Sequence, residues 1–421
     1  MRSRTFASEA VTVLQPALRG SLEASNTYVS RTDIHEALGD AWVLIKAMVT
    51  LLVLTLVFGR VARLPSGGVP YSLLVFAAMG KGCGRLRAGN RHHAPGQPEL
   101  PLMSDSSHRA PIAPVPPGSP RPLWSVMIPT FNCNPFLPAT LESVLTQDPG
   151  PEAMQIEVVD DHSADDPAGI VASLGRGRVD YFRQRSNVGI TKNFAACLNR
   201  SRGRLVHLLH GDDCVRPGFY ARMSALFEAN PSMGAGFCRS LYIDGNGREL
   251  AATAPEQGNS GLLPDALERL ALEQRIMTPS MVVRREVYER LGGFDDRLPC
   301  SEDWEMWVRI AAQFPIGYEP ATLAAYRMHA DSNTGRNTHD AANMRFTRAA
   351  IDIFEAYLPP GRAHDIARRA RETYALSAIE FARECLHRRD YAGAAAQARE
   401  ALRFSFSAHV LARILRAFTR S

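Results

Sequence analysis

The sequence predicts an α/β fold, in which a mostly parallel sheet is flanked by helices and followed by a helical region. Three short apolar runs end in turn-forming or acidic residues: WSVMIPTFN from Trp124, QIEVVDDHS from Gln155 and GRLVHLLHGDD from Gly203. Between them lie FLPATLESVLTQ and GITKNFAACLNRS, whose apolar residues recur at helical spacing. Strands that alternate with helices in this way are typical of a parallel sheet. Ligands bind such sheets at the carboxyl ends of the strands.

Length and composition narrow the class of protein. A chain of 421 residues is expected to form two or three domains, at roughly 150 residues each. The hydrophobic content of 45% and charged content of 22% fit a folded globular chain. A net charge of +5 is too small for a dedicated nucleic-acid binder. The seven cysteines contain no C-x-x-C pair and are scattered, which argues against a zinc ribbon and indicates a reducing compartment, hence the cytoplasm.

The first hundred residues contain one strongly apolar run, AWVLIKAMVTLLVLTLVF, at positions 41–58. It is near the length of about 20 residues that spans a bilayer, so it predicts either a membrane helix or a buried helix. The neighbouring stretch 38–79 resembles the start of the permease subunit of ABC exporters for bacterial polysaccharides. The other membrane helices of such a permease are missing. We therefore expect residues 1–102 to be a permease remnant, with Met103 as a plausible native start.

Three further segments follow. Residues 103–122 are rich in proline and serine and hold no periodic pattern, which predicts a flexible linker. The alternating strand and helix patterns occupy residues 123–334. Residues 335–421 have an almost continuous helical pattern, and YALSAIEFARECLHRRDYAGAAAQAREALRFS predicts two amphipathic helices joined at RRDYAG.

Acidic pairs follow apolar segments at three places: Asp160–Asp161, Asp212–Asp213 and Glu302–Asp303. In a parallel sheet the first two pairs converge on one edge. A single pair is well explained by helix capping or by a turn. Three pairs in similar contexts favour a functional site.

The ordered set of motifs resembles the inverting glycosyltransferases of family 2, which have the GT-A fold. The segments are SVMIPTFN, IEVVDDHSADDP, NVGITKNFAACL, LLHGDD and GGFDDRLPCSEDWEMWVRI, followed by YRMHADSNT. The resemblance covers residues 124–334, about half of the chain. It implies an enzyme that moves a sugar from a nucleotide-diphosphate donor to an acceptor, with inversion at the anomeric carbon.

The resemblance also implies which residues bind the donor. The turn after the first strand cradles the nucleoside, the acids after the second strand contact the base or ribose, and the segment before the next helix lines the nucleotide. The expected donor-binding residues are Pro129, Thr130, Asn132, Asp160, Asp161, Asn187, Gly189, Asn193 and Asp212.

A divalent cation is expected beside the donor, because a diphosphate cannot lie next to two carboxylates without one. The expected ligands of Mg²⁺ or Mn²⁺ include Asp212 and Asp213, since hard cations prefer oxygen ligands. The resemblance adds His329, which matches a late histidine that GT-A enzymes bring to the diphosphate or its metal; a structural role is the alternative for this residue. His210 stands where many family members have the first acid of Asp-x-Asp. Its imidazole either coordinates the ion or caps the turn.

Asp303 matches the family's general base, which takes a proton from the attacking acceptor hydroxyl. Glu302 is expected to orient the acceptor or the base. Capping of the helix that begins at WEMWVRI is the alternative for this acidic pair. Trp304 either stacks on a sugar or belongs to the core, and Arg327 meets either the phosphates or a surface carboxylate.

The expected partners are a nucleotide-sugar donor and a saccharide or lipid-linked acceptor, with no nucleic acid. The expected activity is a hexosyl- or deoxyhexosyltransferase of bacterial cell-surface polysaccharide biosynthesis, in the cytoplasm or at the inner face of the cell membrane. Two alternatives remain open: a nucleotidyltransferase and a non-catalytic GT-A protein. A nucleotidyltransferase would normally show a glycine-rich loop with a basic residue after the first strand, and PTFNCNPF has none.

Overall fold

The computed structural model describes residues 106–329 and 341–419. All of these residues belong to one compact unit. Within this part of the chain, no helix combines the length and the apolar character that crossing a bilayer requires. The apolar run 41–58 and the permease-like stretch 38–79 lie outside the described residues and stay predictions.

The strands of the described residues form one sheet. In chain order they are β1 (Trp124–Thr130), β2 (Met154–Asp160), β3 (Asp180–Arg183), β4 (Leu205–Leu208), β5 (Cys214–Val215), β6 (Ala235–Ile243), β7 (Glu249–Ala252), β8 (Gly261–Leu262), β9 (Met281–Arg284) and β10 (Ile316–Arg327).

The α-helices of the same residues cover the sheet and form the C-terminal region. They are α1 (Leu137–Leu145), α2 (Pro167–Gly175), α3 (Ile190–Arg200), α4 (Phe219–Ala229), α5 (Ala266–Leu272), α6 (Arg285–Leu291), α7 (Glu302–Ala311), α8 (Ala342–Phe354), α9 (Ala363–His387), α10 (Tyr391–Phe404) and α11 (Ala408–Thr419). Short 3₁₀ turns lie at Ser106–His108, Thr278–Ser280 and Glu355–Tyr357.

The strand order is β3-β2-β1-β4-β9-β6-β10-β5, with β7 beside β6 and β8 beside β10. The first four strands are parallel to one another. However, β9 runs antiparallel to both β4 and β6, and β5, β7 and β8 are short antiparallel partners. The sheet is therefore mixed, where the sequence predicted a mostly parallel one. An apolar run such as MVVR predicts a strand but carries no information on its direction.

The central strands form because both of their faces are covered. Every residue of β1 and of β2 is buried, as expected for parallel strands between two layers of helices. On one face, α1 presents Leu137, Leu141 and Val144 to the core at helical spacing, and all three are fully buried. Burial of each such side chain contributes roughly 1.5–3 kcal/mol. This packing fixes the position of the strand ends that carry the candidate site.

The segment 103–122 was predicted to be a flexible linker. Its described part packs against the rest of the domain. Arg109 forms an isolated β-bridge with Asp295, and the two side chains pair at 3.7 Å. Ile112 is buried with the core. Within 103–122 the described residues contain a 3₁₀ turn at Ser106–His108 and no α-helix. The composition does not reveal this packing, because the partner of the buried Arg109 charge lies almost two hundred residues away.

The C-terminal region is helical, as the sequence predicts. The expected hairpin is formed by α9 and α10, and Asp390 caps the second helix by accepting the N–H of Gly393 at 2.8 Å. This region packs on the sheet domain, since Glu268 of α5 pairs with Arg369 of α9 at 2.8 Å. The helices therefore lie against the part of the domain that leads into α7.

Candidate active site

The acidic segments that follow β2 and β4 lie on either side of the end of β1. The backbone N–H of Asp161 donates to the carbonyl of Thr130 at 2.9 Å. The N–H of Gly211 donates to the carbonyl of Pro129 at 3.0 Å. Both segments are thereby fixed at the carboxyl edge of the sheet, which is the edge that the sequence predicts for a ligand.

The Asp161 carboxylate holds the loop that leads into α3. Its two oxygens accept the backbone N–H groups of Val188 at 2.7 Å and Gly189 at 2.9 Å, and the Asn187 amide donates to the Asp161 carbonyl at 3.2 Å. Burial raises the pKa of Asp161, against the two N–H groups that favour its charge. Gly189 adopts a φ of +86°, and an added Cβ would meet no atom within 4 Å. The space in front of this loop is open.

Asn132 joins the loops that follow β1 and β2. It has a φ of +54°, a left-handed conformation that asparagine tolerates better than most residues. Its N–H donates to Ser163 Oγ at 2.9 Å, and its Oδ1 accepts the N–H of Ala164 at 2.8 Å. The turn after β1 is therefore set by its neighbour loop.

Asp160 is fully buried, and both of its carboxylate oxygens are occupied. Oδ1 accepts the N–H and the hydroxyl of Ser163 at 2.9 and 2.5 Å. Oδ2 accepts Tyr181 Oη at 2.8 Å and Arg183 Nη1 at 3.0 Å. These contacts give Asp160 the geometry of a residue that holds the loop beside Asp161.

Asn193 is buried on the first turn of α3, and its amide is also occupied. Nδ2 donates to the carbonyl of Val159 at 3.0 Å, and Oδ1 accepts Gln184 Nε2 at 3.1 Å. This side chain therefore ties α3 to the end of β2.

His210, Asp212 and Asp213 form a cluster able to hold a cation. One ligand atom from each of them lies within 4.8 Å of the others. Asp213 Oδ2 and His210 Nε2 are buried and have no hydrogen-bond partner among the described residues. His210 Nδ1 lies 3.6 Å from Asp213 Oδ2. Because a buried polar atom without a hydrogen bond is costly, an Asp213 oxygen in this state fits a cation site. The residues form a variant of the Asp-x-Asp motif in which imidazole replaces the first acid.

His329 completes this cluster from the far side. Its Nε2 lies 3.0 Å from Asp212 Oδ2, and its ring packs against Phe136 with centroids 4.7 Å apart. The neighbouring Arg327 is almost fully buried, and its N–H donates to Asp213 Oδ1 at 2.8 Å. Its guanidinium donates to the Asp212 carbonyl at 2.8 Å. Arg327 therefore holds the loop, a role that neither sequence-based expectation for this residue included.

The charges of the cluster are set by burial and proximity. Burial raises the pKa of Asp213 well above its usual range, and the nearby Asp212 adds to this effect. Burial also acts to raise the pKa of Asp212, but the hydrogen bond to His329 and the adjacent imidazoles outweigh it and leave that pKa below its usual value. Burial lowers the pKa of His210. The His210 imidazole and the Asp212 carboxylate therefore have the protonation states that metal ligation requires, whereas Asp213 would have to release its proton when an ion binds.

The third acidic pair, Glu302–Asp303, opens α7. Asp303 is half-buried, and its Oδ2 accepts Gln274 Nε2 at 2.9 Å and Thr278 Oγ1 at 3.1 Å. Its Oδ1 accepts the N–H of Trp304 at 2.7 Å. Burial raises the pKa of Asp303 to about 6. Burial and the adjacent Asp303 charge raise the pKa of Glu302 to about 8.

Asp303 lies at the same edge of the sheet as the His210 cluster. Its partner Thr278 begins the 3₁₀ turn that precedes β9. Because β9 is antiparallel to β4, with His207 opposite Val282, that turn lies beyond the carboxyl end of β4. His207 Nε2 also contacts the carbonyl of Pro279 at 2.9 Å. The acids that follow β2 and β4 and the acid that opens α7 thus lie at the same edge of the sheet.

A carboxylate whose pKa is raised, at the same sheet edge as a cluster able to hold a cation, suits proton removal beside a phosphorylated ligand. Residues 125–292 match the family model described as "Glycosyl transferase family 2". An uncharacterised protein of Mycobacterium tuberculosis is 31% identical over 51% of this chain and 70% of its own length. The chain belongs to glycosyl transferase family 2. It is a glycosyltransferase, and its mixed sheet with C-terminal helices is GT-A-like.

Other family 2 relatives and solved structures are more distant. An uncharacterised glycosyltransferase of Methanocaldococcus jannaschii is 24% identical over 49% of this chain and 71% of its own length. A structure of Staphylococcus aureus TarS 1–349 with UDP-GlcNAc is similar with a TM-score of 0.48 and 14% identity, covering 66% of this chain and 91% of that one. At this level the likeness identifies neither donor nor acceptor for this family 2 chain.

Sequence reasoning missed the residues that surround the Asp303 carboxylate. Gln274 and Thr278 lie 29 and 25 residues before Asp303, and no spacing pattern links them to it. Trp304 was left open between sugar stacking and the core. Its ring is 1% exposed and its Nε1 donates to the Leu270 carbonyl at 2.6 Å, which places it in the core.

Proposed function

We propose that this glycosyltransferase moves a hexose or deoxyhexose from a nucleotide-diphosphate sugar to a hydroxyl of a saccharide or lipid-linked acceptor, with inversion. One observation carries the proposal: Asp303 is held by two donors at the sheet edge that also carries the cluster of His210, Asp212 and Asp213. A proton acceptor and a cation site at one edge of the sheet suit a single displacement at the anomeric carbon of a donor sugar bound between them.

The donor would lie along the edge formed by β1, β2 and the loop before α3. Backbone groups of Pro129, Thr130, Asn187 and Gly189 would face the nucleoside, and Asp161 would stay in place through its two backbone hydrogen bonds. Asn132, Asp160 and Asn193 would act by fixing the loops that they join.

Asp212 and Asp213 would hold Mg²⁺ or Mn²⁺, together with His329 and His210. The Asp213 Oδ2 atom, which has no hydrogen bond among the described residues, fits such an ion. Because imidazole suits manganese better than magnesium, this donor set favours Mn²⁺. When bound, the ion supplies positive charge that offsets the charge of the departing nucleoside diphosphate.

Asp303 would take the proton of the acceptor hydroxyl as its oxygen forms a bond to the anomeric carbon. The bond from that carbon to the diphosphate oxygen breaks on the opposite face, and its electron pair leaves with the nucleoside diphosphate. Glu302, which is buried, would keep its own proton at neutral pH, so that the single negative charge of the pair resides on Asp303.

The sequence outside the site suggests the acceptor and its place in the cell. The permease-like stretch 38–79 supports a role in bacterial cell-surface polysaccharide synthesis, at the inner face of the membrane.

Thermal melting of the full chain tests donor and cation binding together. With a panel of UDP-, GDP- and dTDP-sugars, we expect one donor to raise the Tm only in the presence of a divalent ion, and more with Mn²⁺ than with Mg²⁺. A ligand at a hundred times its Kd adds about 2.7 kcal/mol to the free energy of unfolding.

Asp212→Asn should remove the ion-dependent shift. Asp180→Asn is the matched control, because Asp180 is exposed at the start of β3, at the opposite edge of the sheet, and should leave the shift intact. Equal donor stabilisation in EDTA and in Mn²⁺ would contradict the cation assignment.

A further inference from the structure

The Asp303 carboxylate is supported by the segment between the end of α5 and the start of β9. Gln274 and Thr278 of this segment donate to Asp303 Oδ2 at 2.9 and 3.1 Å. Thr278 begins a 3₁₀ turn, whereas Gln274 lies before this turn and belongs to no strand or helix. The contacts that fix the backbone of Gln274 therefore also set the position of a hydrogen-bond donor to Asp303.

The C-terminal helices supply that support. The backbone N–H of Gln274 donates to Tyr374 Oη at 2.9 Å, and Tyr374 lies in the middle of α9. The Tyr374 ring also packs against Trp304, with centroids 4.9 Å apart. One side chain of α9 thus contacts both the donor to Asp303 and the residue that follows Asp303.

Two further contacts tie the start of α7 to the C-terminal region. Phe354 of α8 packs edge-on against Trp304, with centroids 4.9 Å apart. Thr347 of α8 hydrogen-bonds Ser301, the residue before the acidic pair, at 3.2 Å. Residues 301–304 are therefore held by α8 and α9 as well as by their own domain.

We propose that Gln274 and Tyr374 are positioning residues for the Asp303 base, so that the C-terminal helices form part of the catalytic unit. The inference rests on the proposed role of Asp303. Hydrogen bonds to a carboxylate favour its charged form, and the Gln274 amide supplies one of the bonds to Oδ2. Tyr374 Oη fixes the backbone from which that amide extends.

Gln274→Met tests the first link, because methionine keeps the length of the side chain and removes the donor. The acid limb of kcat/KM against pH should move upward by about one unit, so that activity lost at pH 6 returns at higher pH. Thr278 still donates, and the shift is accordingly partial. A limb that stays at the wild-type pH would overturn the inference.

Tyr374→Phe tests the second link, since it keeps the ring on Trp304 and removes only the hydroxyl. We expect kcat to fall several-fold, the donor KM to stay unchanged and the acid limb to move in the same direction. Tyr357→Phe is the matched control. Tyr357 is also C-terminal, but its hydroxyl donates to Glu305 at 2.7 Å, away from Asp303, and its loss should lower the Tm without moving the limb. Identical profiles for the two variants would contradict the proposal.

A measurement without substrate separates this inference from the proposed function. In a double-mutant cycle, the Tm changes of Gln274→Met and Asp303→Asn should be non-additive, because the two side chains share a hydrogen bond. Additive changes would overturn the inference even if the enzyme transfers sugar. Conversely, non-additive changes together with an active Asp303→Asn variant would support the contact and reject Asp303 as the base.

Discussion

Burial and hydrogen bonding act in opposite directions on the Asp303 carboxylate. Burial raises its pKa to about 6, while the N–H of Trp304 and the donors Thr278 and Gln274 pull it back. A general base works best when its pKa lies just below the working pH. This residue is therefore charged at neutral pH and is still basic enough to accept a proton.

Glu302 complements this arrangement. It is 5% exposed and lies next to the Asp303 charge, so that its pKa rises to about 8. Two interacting carboxyl groups lose their protons in separate steps that belong to the pair. At pH 7 the pair thus carries one negative charge, and the geometry assigns it to the residue with hydrogen-bond donors.

The raised pKa of Asp303 predicts the pH dependence of transfer. The base acts when deprotonated, so kcat/KM should be level above pH 6 and fall about tenfold per pH unit below it. Initial rates between pH 4.5 and 8 at constant ionic strength measure this directly, with melting curves as a control for acid unfolding. A rate that stays level down to pH 4.5 would exclude a base with this pKa.

At the scale of elements, the candidate site is a set of loops fixed to one another at the end of β1. Asp161 links β2 to the loop before α3, and Asn132 links the first two loops. These contacts place polar backbone groups at the open edge before any ligand arrives. Such preorganisation lowers the cost of binding.

Asp161→Asn should damage this assembly. The amide oxygen of asparagine replaces only one of the two acceptors, so the N–H of Val188 or Gly189 loses its partner, at a cost of about 0.5–1.5 kcal/mol. Urea unfolding should show this loss, and donor affinity should fall with it. Asp166→Asn is the control: Asp166 caps α2 through the N–H of Gly169 at 3.1 Å, and asparagine caps equally well. Equal stability of the two variants would contradict the role of Asp161.

Local sequence patterns predicted the strands and loops on which the candidate site residues lie. The runs ending at Asn132, Asp161 and Asp213 give β1, β2 and β4 with their loops, because a buried strand needs apolar residues and its exit needs turn formers. The sequence also predicted the hairpin of α9 and α10. It did not predict the direction of β9, because the direction in which two strands pair depends on the path of the whole chain.

At the scale of the molecule, the C-terminal helices complete the domain that the family motifs define. The matched residues 125–292 end before Asp303, and α7 is held by Trp304 against Phe354 and Tyr374. Tyr374 lies 71 positions beyond the base, and no motif spacing relates the two. The sequence therefore predicted the acidic residues of the candidate site. It did not predict the side chains that contact these acids and shift their pKa values, because those contacts form only through tertiary packing.

The rate of Asp303→Asn tests the central claim most directly. Asparagine keeps the shape of the side chain but cannot take the proton of the acceptor hydroxyl. With a donor identified by melting, sugar transfer at saturating donor should fall about 10²–10⁴-fold, while the ion-dependent stabilisation by that donor stays near the wild-type value. Transfer within a few-fold of the wild-type rate, at equal donor binding, would show that another group accepts the proton.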